Sequence, residues 1–294
     1  KAGMADNQAA PVNALGLDAE DEQFLKQVAA KMAVSSLTHP LHTAKTLIQL
    51  GHEPFPLSTG KTLIVAGRNA YFLPNIFSYA KQLVDTHPAG WQVLFTGFDS
   101  ACIALAVGKI TSRKFAKYLD EFYPELGGKA EVEGKDEREI DDEQSFRRMV
   151  RAAIRDSAVR TVAVFAARPF TVVCIRQIAQ LIGGESKYTN CLQGLRLIGI
   201  EEGPGGLFSG VVPQLVGELI MVWGVHTVVF AAERALTRSG LDKQDDKERA
   251  EKDYKEARNL VHMLAPHVVS GFSYPYSVVS TVMACVGSGL AASF

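Results

Sequence analysis

A polar stripe runs through the first long apolar stretch of the chain. Its six members are spaced alternately four and three residues apart: Lys31, Ser35, Thr38, His42, Lys45 and Gln49. This alternation places them on one face of a helix. Two interpretations are open. The stripe is the solvated face of an amphipathic helix, or it lines a water-accessible groove in a membrane, where burying Lys45 in lipid would be costly.

Glu218 is a second candidate for a functional side chain, because it is the one charged residue of the apolar stretch 211–232. Gln214 lies one helical turn before it and His226 two turns after it. A single acid among apolar residues needs a polar partner or water. Glu218 is therefore either paired with a buried arginine or turned toward the same groove as Lys45, and a Lys45–Glu218 pair is compatible with the sequence.

Three arginines of a later apolar stretch, Arg160, Arg168 and Arg176, are eight residues apart. Eight residues overshoot two helical turns, so these side chains spiral around the helix and do not share a face. Arg168 directly precedes Pro169 and is predicted to satisfy carbonyl groups that the proline frees.

Patterns of covalent or metal chemistry are absent from the sequence. It has no Walker loop, no G-x-S-x-G and no H-E-x-x-H motif, and its histidines and four cysteines lack metal-ligand spacing. A net charge of −1 gives no preference for nucleic acid. We therefore expect no enzyme, no metal, no cofactor and no nucleic-acid partner.

A repeat organises these residues. Pro40, Pro169 and Pro275 each interrupt a long apolar stretch, and Gly-x-x-x-Leu-Phe-x-Gly boxes follow the first two at Gly90–Gly97 and Gly203–Gly210. We predict that each proline breaks a helix. Broken helices that repeat in this way indicate membrane helices facing protein or a cavity.

Five long helices are predicted, over 22–50, 98–119, 144–182, 210–236 and 251–284. Asp99 or Ser100 is expected to cap the second one. A short surface helix is expected within 61–84, a loop at 120–143, and a linker with a short helix at 183–202. Each long helix is long enough to cross a bilayer core of roughly 30 Å.

Composition is compatible with such helices only because polarity is segregated. The 294 residues are 47% hydrophobic, and the mean hydropathy is +0.04. Charges concentrate in 118–150 and 237–258. We predict a polar N-terminal tail over 1–22 and one membrane domain over 23–294, with repeats at about 23–120, 144–238 and 251–294.

The repeat resembles the mitochondrial carrier family, which combines proline, acid, bases and glutamine in each unit. The matching residues are Pro40, Lys45 and Gln49 in the first repeat, Pro169 and Arg176 in the second, and Pro275 in the third. His42, Thr171 and Ser277 stand where the family has its acid. The family's closing salt bridges therefore cannot form, which argues against alternating-access transport.

A more specific resemblance covers about residues 24–290. Segments such as Leu47–Pro54, Ile76–Ala80, Ile182–Tyr188 and Glu201–Glu218 look like the mitochondrial carrier homologs. The resemblance implies an all-α membrane protein, a divergent carrier-like bundle of five long helices with the sixth absent and an open lateral groove. It implies a multi-pass protein of the mitochondrial outer membrane that contacts lipids and inserts α-helical, notably tail-anchored, proteins. A pro-apoptotic protein is a further implied partner.

Site residues follow from combining the resemblance with the patterns above. The predicted groove residues are Thr38, His42, Lys45, Gln49, Arg176, Gln214, Glu218 and His226. Two alternatives stay open: a receptor or scaffold for apoptotic or metabolic partners, and a degenerate solute carrier. The acidic stretch 129–143 has no counterpart in the resemblance.

Overall fold

The computed structural model of the chain describes residues 19–61, 69–128, 140–238 and 247–293. Its packing forms two compact units within the predicted single domain. The first comprises Lys1–Lys45 and Phe55–Phe98, and the second comprises Thr46–Pro54 and Asp99–Phe294. Most of the acidic stretch 129–143 and most of the predicted tail 1–22 lie outside the described residues.

The first unit combines most of helix α1 (Ala19–Gln49) with a β-hairpin and a short helix. Strands β1 (Ser58–Lys61) and β2 (Asn69–Phe72) pair antiparallel. Helix α2 (Ile76–Thr86) and a 3₁₀ helix (Gly90–Phe95) follow. The short helix expected within 61–84 is present as α2 from Ile76 onward, whereas Lys61 and Asn69–Phe72 belong to strands and residues 62–68 lie outside the described residues. Pro74 precedes Asn75, whose side chain accepts a 2.8 Å hydrogen bond from the Ser78 amide and so fixes the start of α2.

Polar groups of α1 anchor this helix within the first unit. The buried Thr43 hydroxyl donates to the Leu94 carbonyl at 2.9 Å, and the His39 ring bonds the Thr96 carbonyl at 3.1 Å. The ring of Phe98 meets His39 edge-on, with centroids 5.2 Å apart. His39 is thus a satisfied core residue.

The second unit contains the remaining helices. They are α3 (Phe98–Phe122), α4 (Asp142–Gly183), α5 (Cys191–Glu201), α6 (Pro204–Leu207), α7 (Val211–Arg238) and α8 (Lys247–Cys285), followed by a 3₁₀ turn at Ala291–Ser293. Each of the five predicted long helices overlaps one of these or α1. The helical membrane fold is confirmed, and the short helix expected within 183–202 is present as α5.

The prolines do not end their helices, contrary to the prediction. Pro40 lies inside α1, Pro169 inside α4, and both Pro266 and Pro275 inside α8. A proline removes one backbone hydrogen bond and pushes against the preceding turn. Packing of the flanking turns on neighbouring elements lets the helix continue through it.

The expected N-cap of α3 is also wrong, because Asp99 and Ser100 make tertiary contacts. The Asp99 carboxylate accepts a 2.6 Å hydrogen bond from the Cys191 amide at the start of α5. The buried Ser100 hydroxyl donates at 2.6 Å to Gln177 of α4. Both side chains therefore position α3 against α4 and α5.

The two glycine boxes have the same backbone signature, which supports the internal repeat. The first and last glycines of each box, Gly90, Gly97, Gly203 and Gly210, all have positive φ. Each box encloses a short helical segment. Such a backbone favours glycine because a side chain would be strained there.

A seam of glycines joins α7 to α8. Gly210, Gly217 and Gly224 are seven residues apart and meet successively earlier parts of α8, around Ser280, Tyr276 and Val269. The two helices are therefore antiparallel and in close contact. A Cβ atom at Gly210 would lie 2.6 Å from both the Ser280 carbonyl oxygen and the Arg168 guanidinium.

Three stretches of the described chain are long and apolar enough to cross a membrane: Gly90–Phe122, Asp142–Gly183 and Pro204–Arg238. Only 6% of the most apolar window of Pro204–Arg238 is buried inside the protein. A soluble protein rarely exposes so large an apolar surface, whereas a bilayer covers it. The five predicted membrane-crossing helices are thus reduced to three by this criterion.

Candidate functional site

Polar contacts cross between α4 and α7 at several levels, and together we name them the α4–α7 ladder. Going up α4 and down α7, its rungs are Asp142 with Arg234 and Arg238, Asp156 with His226, Arg160 with Glu218, and Arg168 with Gln214. This order shows that the two helices run antiparallel. Both belong to candidate membrane spans.

Glu218 is paired with an arginine, which was one of the two sequence interpretations. Arg160 donates from Nε to Glu218 Oε2 at 2.7 Å, and its Nη2 lies 2.7 Å from the same oxygen. The pair is not fully buried, since 47% of the Arg160 side chain and 26% of the Glu218 side chain are exposed. Glu218 is therefore both paired and accessible.

A cavity of about 330 Å³ contains this pair and the neighbouring rung. His226 Nε2 lies 2.9 Å from Asp156 Oδ2. The cavity is lined by Ser112 of α3, by Asp156, Val159 and Arg160 of α4, and by Glu218, Met221, Val222, Val225 and His226 of α7. We call it the ladder cavity. It places four titratable side chains among apolar walls on candidate membrane spans.

Gln214 belongs to the last rung of the ladder along α4, where its partner Arg168 is buried. The almost fully buried Arg168 donates to the Gln214 side chain at 2.6 Å, to the Ser209 carbonyl at 2.9 Å and to the Ser280 carbonyl at 3.2 Å. Arg168 was predicted to satisfy carbonyl groups that Pro169 frees, and this prediction is wrong as to the partners. The carbonyls that it contacts belong to the glycine box and to α8, not to a break in its own helix.

Arg176 has a structural environment and does not line a groove. Its side chain is fully buried and makes a two-pronged ion pair with Glu202. It also donates to the Ala284 carbonyl at 2.8 Å and to the Tyr188 hydroxyl at 3.3 Å. The prediction that Arg176 is a groove residue is therefore wrong, because no surface of this side chain is open to a substrate.

A neighbouring ion pair holds the chain after α8 in place. Lys187, in the α4–α5 connection, donates to Glu201 at 2.6 Å and to the Ser288 carbonyl at 2.8 Å. Partial burial is the largest single effect on Lys187 and opposes its charge, but the hydrogen bond to Glu201 and the charge interactions with Tyr188 and Glu201 together outweigh it and raise the pKa of the ammonium group. A buried apolar cluster around Val172, Ile198 and Leu290 packs the same end of the second unit.

The α1 stripe is largely exposed. Thr38, His42 and Lys45 are exposed, and the Thr38 hydroxyl donates to the Val34 carbonyl of its own helix at 3.0 Å. Gln49 is half-buried and accepts a 3.1 Å hydrogen bond from Thr281 of α8. That the exposed stripe and Glu218 line one groove stays a prediction.

The sequence interpretation missed Asp156 and Arg160 as site residues. A signal for them existed, because they lie one turn apart on α4 just as Glu218 and His226 lie two turns apart on α7. Pairing the two sets required knowing that α4 and α7 are antiparallel neighbours. Among the described residues, no group of three or more His, Cys, Asp and Glu side chains is placed to hold a metal.

Comparison with known proteins agrees with this architecture. Residues 149–239, which include most of α4 and all of α5, α6 and α7, match the model of the mitochondrial carrier protein family. The chain is 29% identical over 265 residues to mitochondrial carrier homolog 2 of Mus musculus and of Homo sapiens, covering 90% of this chain and 81% of each relative. It is 29% identical over 272 residues to mitochondrial carrier homolog 1 of Mus musculus, covering 67% of that protein. The similarity to the mitochondrial carrier homologs thus extends over nine-tenths of the chain.

Proposed function

We propose that this protein is an insertase for α-helical, notably tail-anchored, proteins in the mitochondrial outer membrane. The observation that supports this most is the ladder cavity, a set of charged side chains on helices whose outer surfaces are apolar. The similarity to mitochondrial carrier homologs supports the mitochondrial location.

The physical difficulty in inserting a tail-anchored helix is its short polar tail, which must cross the hydrocarbon region. Each polar group that crosses without a partner costs several kcal/mol. A cleft that offers water, carboxylates and a guanidinium along its wall lets the tail keep polar contacts during transit. The apolar helix of the client then moves sideways into lipid, so no covalent step or nucleotide is required.

Reconstitution with a fluorescent tail-anchored client tests this proposal. The purified protein is placed in liposomes, and protected client is measured after protease treatment. Glu218→Lys sets a cation beside Arg160 and reverses the charge of the cleft. We expect the insertion rate to fall roughly tenfold, equivalent to about 1.4 kcal/mol in the barrier.

Glu143→Lys is the matched control, because Glu143 forms an exposed pair with Arg147 outside the ladder cavity. This variant should insert the client at the wild-type rate. Lys45→Glu tests the α1 stripe in the same assay and should also change the rate. If Glu218→Lys and Lys45→Glu both insert normally, a receptor or scaffold role, including recruitment of a pro-apoptotic protein, replaces the proposal.

A further inference from the structure

The charges that line the ladder cavity are unequal in number. Asp156 and Glu218 supply two carboxylates, whereas Arg160 supplies one guanidinium. These three side chains together carry one excess negative charge. In a site partly shielded from water, one uncompensated charge interacts more strongly with a ligand than it would in bulk solvent.

The paired carboxylates keep binding capacity. Arg160 hydrogen-bonds to the Oε2 atom of Glu218, and the His226 ring hydrogen-bonds to the Oδ2 atom of Asp156, so each carboxylate has a second oxygen. An ionised carboxylate has two oxygens and about four acceptor positions. Asp156 is also the most exposed of the four groups, with 60% of its side chain accessible. A further donor can therefore reach it without displacing His226.

The remaining walls suit a long aliphatic side chain. Val159, Met221, Val222 and Val225 line the cavity between the charged groups. Lysine and arginine bury a hydrocarbon stem against such a surface while their charged end seeks polar partners. The volume of about 330 Å³ is at the small end of ordinary ligand sites, which fits one side chain better than a folded segment.

We propose that the ladder cavity is a subsite for a cationic side chain, a lysine or arginine in the polar tail of the client. This inference rests on the proposed insertase function and adds a preference among its clients. A tail with a basic residue gains a transient ion pair with Asp156 and Glu218 during transit. A tail with an acidic residue at the same place meets an excess of negative charge.

The experiment uses three clients that differ at one tail position, which is Lys, Gln or Glu. Liposomes contain only zwitterionic lipid, so that the bilayer itself attracts neither charge, and the assay runs at pH 8, where an ordinary histidine is neutral. The wild-type protein should insert the Lys tail faster than the Glu tail by roughly two- to fivefold, the range of a partly exposed ion pair. The ratio should shrink as salt is raised.

Variants of the cavity should move this ratio in opposite directions. Asp156→Asn removes the excess charge and should bring the Lys-to-Glu ratio close to one. Arg160→Gln doubles the excess and should raise the ratio above the wild-type value. Asp120→Asn is the control, since Asp120 pairs with Arg155 and does not line the cavity, and it should leave the ratio unchanged.

The outcomes separate this inference from the insertase proposal. Equal insertion of the three clients at a rate well above empty liposomes overturns the cationic subsite and leaves the insertase intact; it would mean that the cavity binds water or a lipid headgroup instead. A ratio that is unchanged in both Asp156→Asn and Arg160→Gln places the selectivity elsewhere and also overturns the inference. If even the Gln tail is not inserted above empty liposomes, both proposals fail.

Discussion

Arg160, Arg168 and Arg176 differ in their roles although they lie at equal intervals on one helix. Arg176 is fully buried and joins the α5–α6 connection to the end of α8 through Glu202 and the Ala284 carbonyl. Arg168 joins the second glycine box to α8. Arg160 is half-exposed in the ladder cavity. The eight-residue interval turns each arginine to a different neighbour, so two of them hold the fold and one faces the cleft.

Replacing Glu202 should destabilise the protein far more than replacing its neighbour Glu201. Glu202→Ala leaves the buried Arg176 guanidinium without its carboxylate, and removal of one partner of a buried pair costs about 3–5 kcal/mol. Glu201 and its partner Lys187 are both partly exposed, and Glu201→Ala should cost about 1 kcal/mol or less. Denaturant unfolding in detergent measures both, and equal losses in the two variants would contradict the structural role given to Arg176.

The sequence identified Gln214, Glu218 and His226, because polar residues at helical spacing in an apolar stretch need partners. It left two alternatives open for Glu218: a pair with an arginine, or an orientation toward the groove. Burial decided against Arg176 as a groove residue, and burial depends on which elements surround a side chain. A motif match cannot supply that information, which explains why the carrier-like base of the second repeat was misassigned.

Helices α7 and α8 are held together by the glycine seam, whereas α7 and α4 are held by the ladder. The seam brings backbones close and leaves no room for a side chain at Gly210. The ladder uses polar groups that water can replace at its exposed rungs. The α4–α7 contact is therefore the one better suited to admitting a polar segment.

Gly210→Ala tests the seam. The alanine would be strained at φ +68° and its Cβ would press on Arg168 and the Ser280 carbonyl, so we expect a loss of about 1–3 kcal/mol in stability. Gly199→Ala in α5 is the control, because a Cβ there meets nothing within 4 Å and alanine favours a helix. Thermal unfolding compares the two, and an unaffected Gly210→Ala protein would contradict the close α7–α8 contact.

Helical spans were predictable from length and hydropathy, but their continuity was not. Pro169 was expected to break the third long helix, yet α4 runs from Asp142 to Gly183. Residues Val172, Val173 and Ile178 just beyond the proline are fully buried, and their packing holds the helix together. The β-hairpin before α2 also escaped prediction, because its strands are only four residues each.

The molecule as a whole combines exposed apolar helices with a charged cavity between α3, α4 and α7. The window of Pro204–Arg238 is almost unburied, and the same helix contributes Glu218 and His226. We propose that in a bilayer one side of α7 contacts acyl chains while its cavity side contacts water. This division of a single helix between two solvents is the physical basis of the proposed insertion path.

Cysteine labelling along α7 in proteoliposomes tests that division. Val222→Cys lies in the cavity, and Trp223→Cys is an exposed neighbour that does not line it. Both are made in a Cys102→Ala chain, since the other three native cysteines are buried. A charged, water-soluble maleimide should label Val222→Cys readily and Trp223→Cys hardly at all. If Val222→Cys is as unreactive as Trp223→Cys, no water reaches the α4–α7 cleft and the proposed insertion path does not exist.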